Sequence, residues 1–199
     1  GHSPAHLEGV DVLVASTAIP DSEPELATAQ TLGLPVWRRI QVVAEILRGG
    51  YSLGVTGSHG KTSTTSMLAS IFVAAQTDPT VLLGAELGLI GGSAKVGSGR
   101  YRIAEVDESD PLFRFLELDV AVITNLEPDH VSPDGQARPN YHTSFEALQD
   151  AVRSFAGRAK HIIYNGEPRW HLLDTLTQGR PRSSFGLLAG DCHAKEIAL

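Results

Sequence analysis

Tyr51-Ser52-Leu53-Gly54-Val55-Thr56, running directly into Gly57-Ser58-His59-Gly60-Lys61-Thr62-Ser63, is the stretch from which the fold can be read. The first six residues form a short, mostly apolar run, and the next four form a loop bounded by glycines. From Lys61 to Gln76, Leu68, Ile71, Phe72 and Ala75 recur at helical spacing. Strand, tight loop and helix in that order make a phosphate-loop unit. Glycines let the chain turn its amides toward an anion, and the N-terminus of the helix adds unpaired N–H groups. Lys61 is placed to reach the outer phosphates of a nucleotide, and Thr62 to offer its hydroxyl to magnesium. Gly57, Ser58, His59, Gly60, Lys61, Thr62 and Ser63 are therefore the candidate nucleotide-binding residues. The general motif asks for glycine where Val55 stands, so the match is to a variant of it.

Apolar runs alternate with helical patterns on both sides of this unit, which predicts an α/β fold with a mainly parallel sheet flanked by helices. Upstream, Asp11 to Ser16 reads as a strand. Glu23 to Leu32 reads as a helix introduced by Ser22 with Pro24 in its first turn, and Pro35-Val36 as a further short strand. Arg38 to Arg48 reads as an amphipathic helix closed by Gly49-Gly50, a glycine pair that marks a candidate domain boundary. Two units are expected: 1–49 as the remainder of an N-terminal domain, and 50–199 as a phosphate-loop nucleotide-binding domain. Downstream, strands are expected at Arg102 to Val106, Val120 to Thr124 and His161 to Tyr164, with a helix from Ser144 to Phe155. The glycines and serines from Gly84 to Gly99 suggest turns and a mobile excursion.

Two further segments carry ionisable groups where strands are expected to end. Ala104-Glu105-Val106-Asp107-Glu108-Ser109-Asp110 offers carboxylates that a neighbouring strand can bring to a nucleotide's magnesium. Glu105 is favoured because it sits nearest the apolar strand, while Asp110-Pro111 also reads as an N-cap and first helical position. Thr124-Asn125-Leu126-Glu127-Pro128-Asp129-His130 follows another strand, and ligands of open α/β sheets bind at the carboxyl ends of the strands, so the three segments are expected to converge on one crevice with His130 in it. His2, His6, His142, His161, His171 and His193 show no metal-ligand spacing and read as surface or packing residues.

The bulk properties narrow the function. A net charge of -7 and a pI near 5.6 argue against a nucleic-acid partner, so an anionic ligand must be met locally by amides, a lysine and metal ions. A single cysteine, Cys192, excludes an internal disulfide and fits a reducing cytoplasm. No apolar run is long enough to span a bilayer, and no membrane partner is expected. The chain opens at Gly1 without a methionine, and excision from a longer protein, with Gly1-His2 as a cloning remnant, is one expectation.

Together the three segments, with Gly1-His2 through Leu7, Ala15-Ser16-Thr17-Ala18-Ile19 and Pro24-Glu25, resemble the Mur ligases, in particular the branch that joins L-alanine to UDP-N-acetylmuramate. The resemblance implies a truncated central ATP-binding domain preceded by the end of a UDP-sugar-binding domain. It implies ATP and Mg2+ as cofactors and UDP-N-acetylmuramate and L-alanine as substrates. Lys61 would bind ATP phosphates, Thr62 and Glu105 would hold one magnesium and His130 a second, which makes Lys61 and His130 the candidate catalytic residues. His59 and Asn125 would lie toward the sugar nucleotide, and Asp107, Glu108 and Asp129 are secondary candidates. Ser132 stands where the family usually has an aspartate, and Asn165-Gly166-Glu167-Pro168 replaces a commoner acidic pair before proline. Three alternatives remain: a ligase that recycles a tripeptide onto the same sugar nucleotide, a phosphate-loop switch or phosphatase, and an inert fragment. Ser109 favours the alanine branch, and no Asn-Lys-x-Asp guanine-selecting segment is present.

Overall fold

A computed structural model of the protein describes residues 1–195. A 3-10 turn, Pro4–Leu7, precedes β1 (Leu13–Ala15), α1 (Pro24–Thr31), β2 (Val36–Arg38) and α2 (Arg39–Arg48). β1 and β2 pair in parallel as a separate two-stranded sheet. The cap of α1 is Glu23, whose carboxylate accepts the Glu25 N–H, and not Ser22 as the sequence suggested. Glu25 in turn accepts from Ser3 N (3.0 Å) and pairs with His2 Nδ1 (2.9 Å) and His6 Nδ1 (2.6 Å), so these two histidines fasten the N-terminal turn to α1. With these donors the Glu25 carboxyl is lowered to about 2, the Ser3 amide acting most strongly.

The remaining elements build one eight-stranded sheet. They are β3 (Tyr51–Thr56), α3 (Lys61–Ala74), β4 (Thr80–Leu87), β5 (Gly92–Lys95), β6 (Tyr101–Glu105), β7 (Leu118–Ile123), α4 (Phe145–Arg158), β8 (Ala159–Asn165), α5 (His171–Leu176), β9 (Arg182–Gly186) and β10 (Cys192–His193). The strand order is β10-β9-β8-β7-β3-β6-β4-β5, parallel throughout except for the β4–β5 edge. The segment read as a mobile excursion is this antiparallel edge: β4 runs through Gly84 to Leu87 and turns back through Gly91 and Gly92, with a register shift between Leu82 and Leu87. Glycines that looked like loop residues sit in an irregular edge strand, where bulges are common.

Alternation along the strands divides the interior into two cores. Leu53, Val55, Ile103, Val120 and Val122 face α3 through Leu68 and Phe72. Ala104, Val106, Leu118, Ala121, Ile123 and Ile162 face the opposite way, packing with α2 (Ile40, Leu47), α4 (Leu148, Val152, Phe155) and α5 (Leu173, Leu176). Phe113 and Phe155 are fully buried there with ring centroids 5.4 Å apart, and truncating either to alanine would cost about 3–5 kcal/mol. Gly54 faces this second core, where an added Cβ would lie 2.6 Å from Leu118 Cδ1.

Two topological facts position the site. β3 lies between β6 and β7, so the loop after β3 is flanked on one side by the acidic segment and on the other by the segment leading to His130. Glu105 and His130 therefore leave strands that are separated by β3 and do not come from adjacent strand ends. In addition, Glu105 shares the face of Ile103, the face that α3 covers.

Candidate active site

The loop Gly57–Gly60 is shaped by glycine and held by β7. Gly57 (φ +134°) and Gly60 (φ +80°) adopt backbone conformations that side-chain-bearing residues disfavour, and an added Cβ at Gly57 would lie 2.2 Å from Thr124 Oγ1. Thr124 Oγ1 donates to His59 O (2.7 Å), and the Asn125 amide clamps His59 from both sides, its Oδ1 accepting from His59 N (2.8 Å) and its Nδ2 donating to His59 O (2.9 Å). Ser58 Oγ accepts from Glu127 N at 2.8 Å. The Asn125 side chain is thus a loop clamp, while the exposed His59 ring lies 3.3 Å from Glu127. α3 starts at Lys61 without a side-chain cap, so its first-turn amides, Lys61, Thr62 and Ser63, lack the helical acceptor four residues back, an arrangement suited to an anion.

Lys61 Nζ is mostly buried, donates to Gly57 O (2.8 Å) and Ser58 O (3.3 Å), and lies 2.7 Å from Glu108 Oε2. Thr62 Oγ1 donates to Glu105 Oε1 at 3.0 Å, and the other oxygen, Glu105 Oε2, accepts from Gly84 N at 2.7 Å. Two hard oxygen donors with lone pairs to spare, one hydroxyl and one carboxylate, suit the ligand preference of magnesium. Gly84 carries no sequence signal, yet its lack of a side chain is what lets Glu105 lie against β4, since an added Cβ would sit 2.7 Å and 2.9 Å from the two carboxylate oxygens.

His130 is presented by a left-handed turn (φ +51°), uncommon for a residue with a side chain, with its N–H on Asp129 Oδ1 (2.9 Å) and its ring edge-on to Tyr141. Asp107 lies 3.5 Å from Arg39 of α2 and accepts from Ser109 N and Oγ. Asp110 caps the 3-10 turn Pro111–Phe115 through Leu112 N, as the Asp-Pro pair suggested, and burial pushes its carboxyl up. Ser132, at the position where the family usually has an aspartate, is buried and donates to Asp134 Oδ1 at 2.8 Å.

Lys61, Glu105, Asp107 and His130 line one cleft of about 780 Å³, walled by α2 on one side and by Leu82 and Leu83 of β4 on the other. Arg39 and Tyr141 also line it, and no motif or spacing singles out either. Among the described residues, the one group of three or more metal-binding side chains held closely together lies elsewhere, at His2, Glu23 and Glu25. Its members are already engaged in the hydrogen bonds that fasten the N-terminal turn. No helix among the described residues is long and apolar enough to cross a membrane.

Residues 55–172 match the model of the Mur ligase middle domain. The chain is 45% identical over 154 residues to UDP-N-acetylmuramate–L-alanine ligase of Symbiobacterium thermophilum, covering 77% of this chain and 30% of that protein. It is 39% identical over 196 residues to the Deinococcus radiodurans protein of the same name, covering 96% of this chain and 39% of that protein. It thus spans about a third of the length of these curated relatives. Its fold resembles the crystal structure of UDP-N-acetylmuramate–alanine ligase from Thermotoga maritima, with a TM-score of 0.80 and 24% identity over 96% of this chain and 42% of that one. It also resembles the Neisseria ligase of UDP-N-acetylmuramate and L-alanyl-gamma-D-glutamyl-meso-diaminopimelate, with a TM-score of 0.77 and 28% identity over 93% of this chain and 62% of that one. With the matching family model extending from the end of β3 through the loop, α3 and the segments that carry Glu105 and His130, this chain belongs to the Mur ligase family.

Proposed function

We propose that this chain forms the ATP-binding part of an enzyme that joins L-alanine to the carboxylate of UDP-N-acetylmuramate. The observation that carries this reading is the convergence, around one phosphate loop, of Lys61, the first-turn amides of α3 and the Thr62–Glu105 oxygen pair. The choice of substrates rests on the two relatives at 45% and 39% identity, both named for that reaction.

In this reading Lys61 and the amides of Lys61, Thr62 and Ser63 bind the outer phosphates of ATP. Thr62 and Glu105 would hold one magnesium ion and His130 a second. When bound, the ions offset the negative charge of the transferring phosphoryl group. The substrate carboxylate oxygen attacks the γ-phosphorus and ADP leaves. The amine of L-alanine then attacks the acyl phosphate carbon, and a tetrahedral intermediate collapses to the amide with loss of phosphate. The chain itself orients and stabilises: the Asn125 clamp and Thr124 hold the loop in shape before ligand arrives, so little reorganisation is needed at the moment of reaction. His59, exposed beside that clamp, is the side chain we place toward the sugar nucleotide, and the cytoplasm is the compartment where ATP and these precursors would meet it.

Holding carboxylate, ATP and amine together contributes about 7–11 kcal/mol to barrier reduction, and the relatives extend well beyond the matched part. We therefore expect the 199-residue chain to bind nucleotide without completing amide formation. Titration calorimetry with ATP and magnesium tests the core of the reading. Lys61→Ala removes a charge-assisted phosphate contact of about 1.5–3 kcal/mol, so affinity should fall about tenfold to a hundredfold. Equal affinity in a folded Lys61→Ala variant would remove this loop as the phosphate cradle.

A further inference from the structure

Glu108 has no part in the reading above, yet its side chain is the most deeply buried carboxylate at the site, 1% exposed. Its carboxylate sits between the two candidate catalytic side chains, Oε2 lying 2.7 Å from Lys61 Nζ and Oε1 3.4 Å from His130 Nδ1. The angles of these contacts fall outside hydrogen-bond geometry, so both Glu108 oxygens and His130 Nδ1 are buried polar atoms without a hydrogen bond. Buried polar atoms in native proteins almost always find partners. Here the unsatisfied acceptor and the unsatisfied ring nitrogen face each other, and a small rotation of the imidazole joins them. Asp129 Oδ2 is the other carboxylate near Nδ1, but it is farther, at 3.9 Å, and its side chain is 45% exposed to competing water.

We propose that Glu108 is a positioning residue for His130: it accepts a hydrogen bond from Nδ1–H and so leaves the Nε2 lone pair directed into the cleft for a divalent cation. This rests on the reading of His130 as a cation ligand. An imidazole that binds a metal through one nitrogen commonly gives its other N–H to a carboxylate, which fixes both tautomer and ring orientation. Glu108 is suited to that task by its surroundings. The Lys61 ammonium holds Oε2 from the far side, and His142 Nε2 meets the Glu108 carbonyl at 2.7 Å, so backbone and carboxylate are both anchored. The left-handed turn at His130 delivers the ring from the β7 side onto a carboxylate that comes from the β6 side. One acidic side chain thereby joins the two segments that flank the phosphate loop.

The test has two readouts on the 199-residue chain. Nitrogen-15 NMR of the histidine rings in the nucleotide-free chain, at a pH where imidazoles are neutral, reports the tautomer of His130, its signals assigned through a His130→Gln variant. Electron paramagnetic resonance then follows manganese binding in the presence of a non-hydrolysable ATP analogue. The wild type should show the Nδ1–H tautomer. Glu108→Ala should shift it toward Nε2–H and weaken the second manganese site by about 10- to 100-fold. Glu108→Gln, whose side-chain oxygen still accepts from Nδ1–H, should keep the tautomer and most of the manganese affinity. A wild-type Nε2–H tautomer would overturn the proposal, as would an unchanged tautomer in Glu108→Ala or loss of both properties in a folded Glu108→Gln. If Glu108→Ala does not fold, the wild-type tautomer and Glu108→Gln decide. If the wild type binds neither nucleotide nor manganese, the ligase reading fails, while the tautomer still judges Glu108 separately.

Discussion

Replacing Gly84 by alanine probes how the proposed metal site is built, because Gly84 belongs to no recognisable motif. An added Cβ would stand 2.7 Å and 2.9 Å from the two oxygens of Glu105, closer than Cβ atoms approach other heavy atoms, so the carboxylate must move. Moving it breaks two bonds at once: Gly84 N–H to Glu105 Oε2 (2.7 Å) and Thr62 Oγ1 to Glu105 Oε1 (3.0 Å). Hydrogen bonds to a charged group contribute about 1.5–3 kcal/mol, and partial exposure of this site puts the loss at the lower end, near 1.5 kcal/mol. Magnesium-dependent nucleotide affinity should therefore fall by about tenfold or slightly more. Binding measured in EDTA should not change, because Glu105 is placed to act through the metal whereas Lys61 and the first-turn amides of α3 are placed to meet phosphate directly. Calorimetric titration with and without magnesium separates the two terms. Shortening the acid in a Gly84→Ala/Glu105→Asp double variant relieves the clash and should show non-additive behaviour. Wild-type magnesium dependence in folded Gly84→Ala would refute the claim that β4 sets the position of Glu105.

Gly57→Ala should destabilise the chain by about 2 kcal/mol or more through backbone strain and collision with Thr124 and Asn125, and should abolish nucleotide binding; urea denaturation with a binding assay checks both. Asp110 titrates above the ordinary aspartate range because of burial, so its ionisation opposes folding as pH rises from 3.8 through the raised value. Asp110→Asn, which can still cap Pro111–Phe115, should equal or exceed wild-type stability at neutral pH, with the difference closing below pH 3.8, as thermal melts across pH would reveal. Glu25 shows the opposite sign: lowered from 4.5 to about 2, it favours the folded N-terminal turn above 4.5 and loses that contribution as pH falls through about 2. The Ser3 amide resonance should follow this loss, and a Ser3 amide indifferent to that range would contradict the Glu25 anchor.

Much of this was legible before any coordinates. The helical spacing of Leu68 and Phe72 and the apolar run Leu53 to Val55 identified the strand–loop–helix unit because hydrophobic period reports which face is buried. The helix expected from Ser144 to Phe155 is α4, Phe145–Arg158, with Ser144 as its cap, the hydroxyl accepting the Ala147 amide at 3.1 Å. Lys61, Thr62 and Glu105 could be singled out because strand ends and glycine loops confine where charged groups can meet a phosphate; the structure places Lys61 and Glu105 in one cleft and Thr62 on the Glu105 carboxylate. β4 was missed because Gly84 interrupts its pattern, and β9 and α5 because the chain beyond Tyr164 carries short, weakly periodic elements.

Local sequence thus determined the more strongly patterned elements, β3, α3, β6, β7 and α4 among them, since period, caps and glycine conformations act over a few residues. Strand order was decided only by tertiary structure. Nothing local places β3 between β6 and β7, and only that insertion sets the phosphate loop between an acidic segment and a histidine segment. The pairing of Glu105 with Thr62, of Glu105 with Gly84 and of Glu108 with both Lys61 and His130 depends on which face of the sheet each residue leaves and on which strands are neighbours. Those are long-range choices, made by packing two cores on opposite faces of one sheet, and no short stretch of sequence contains them.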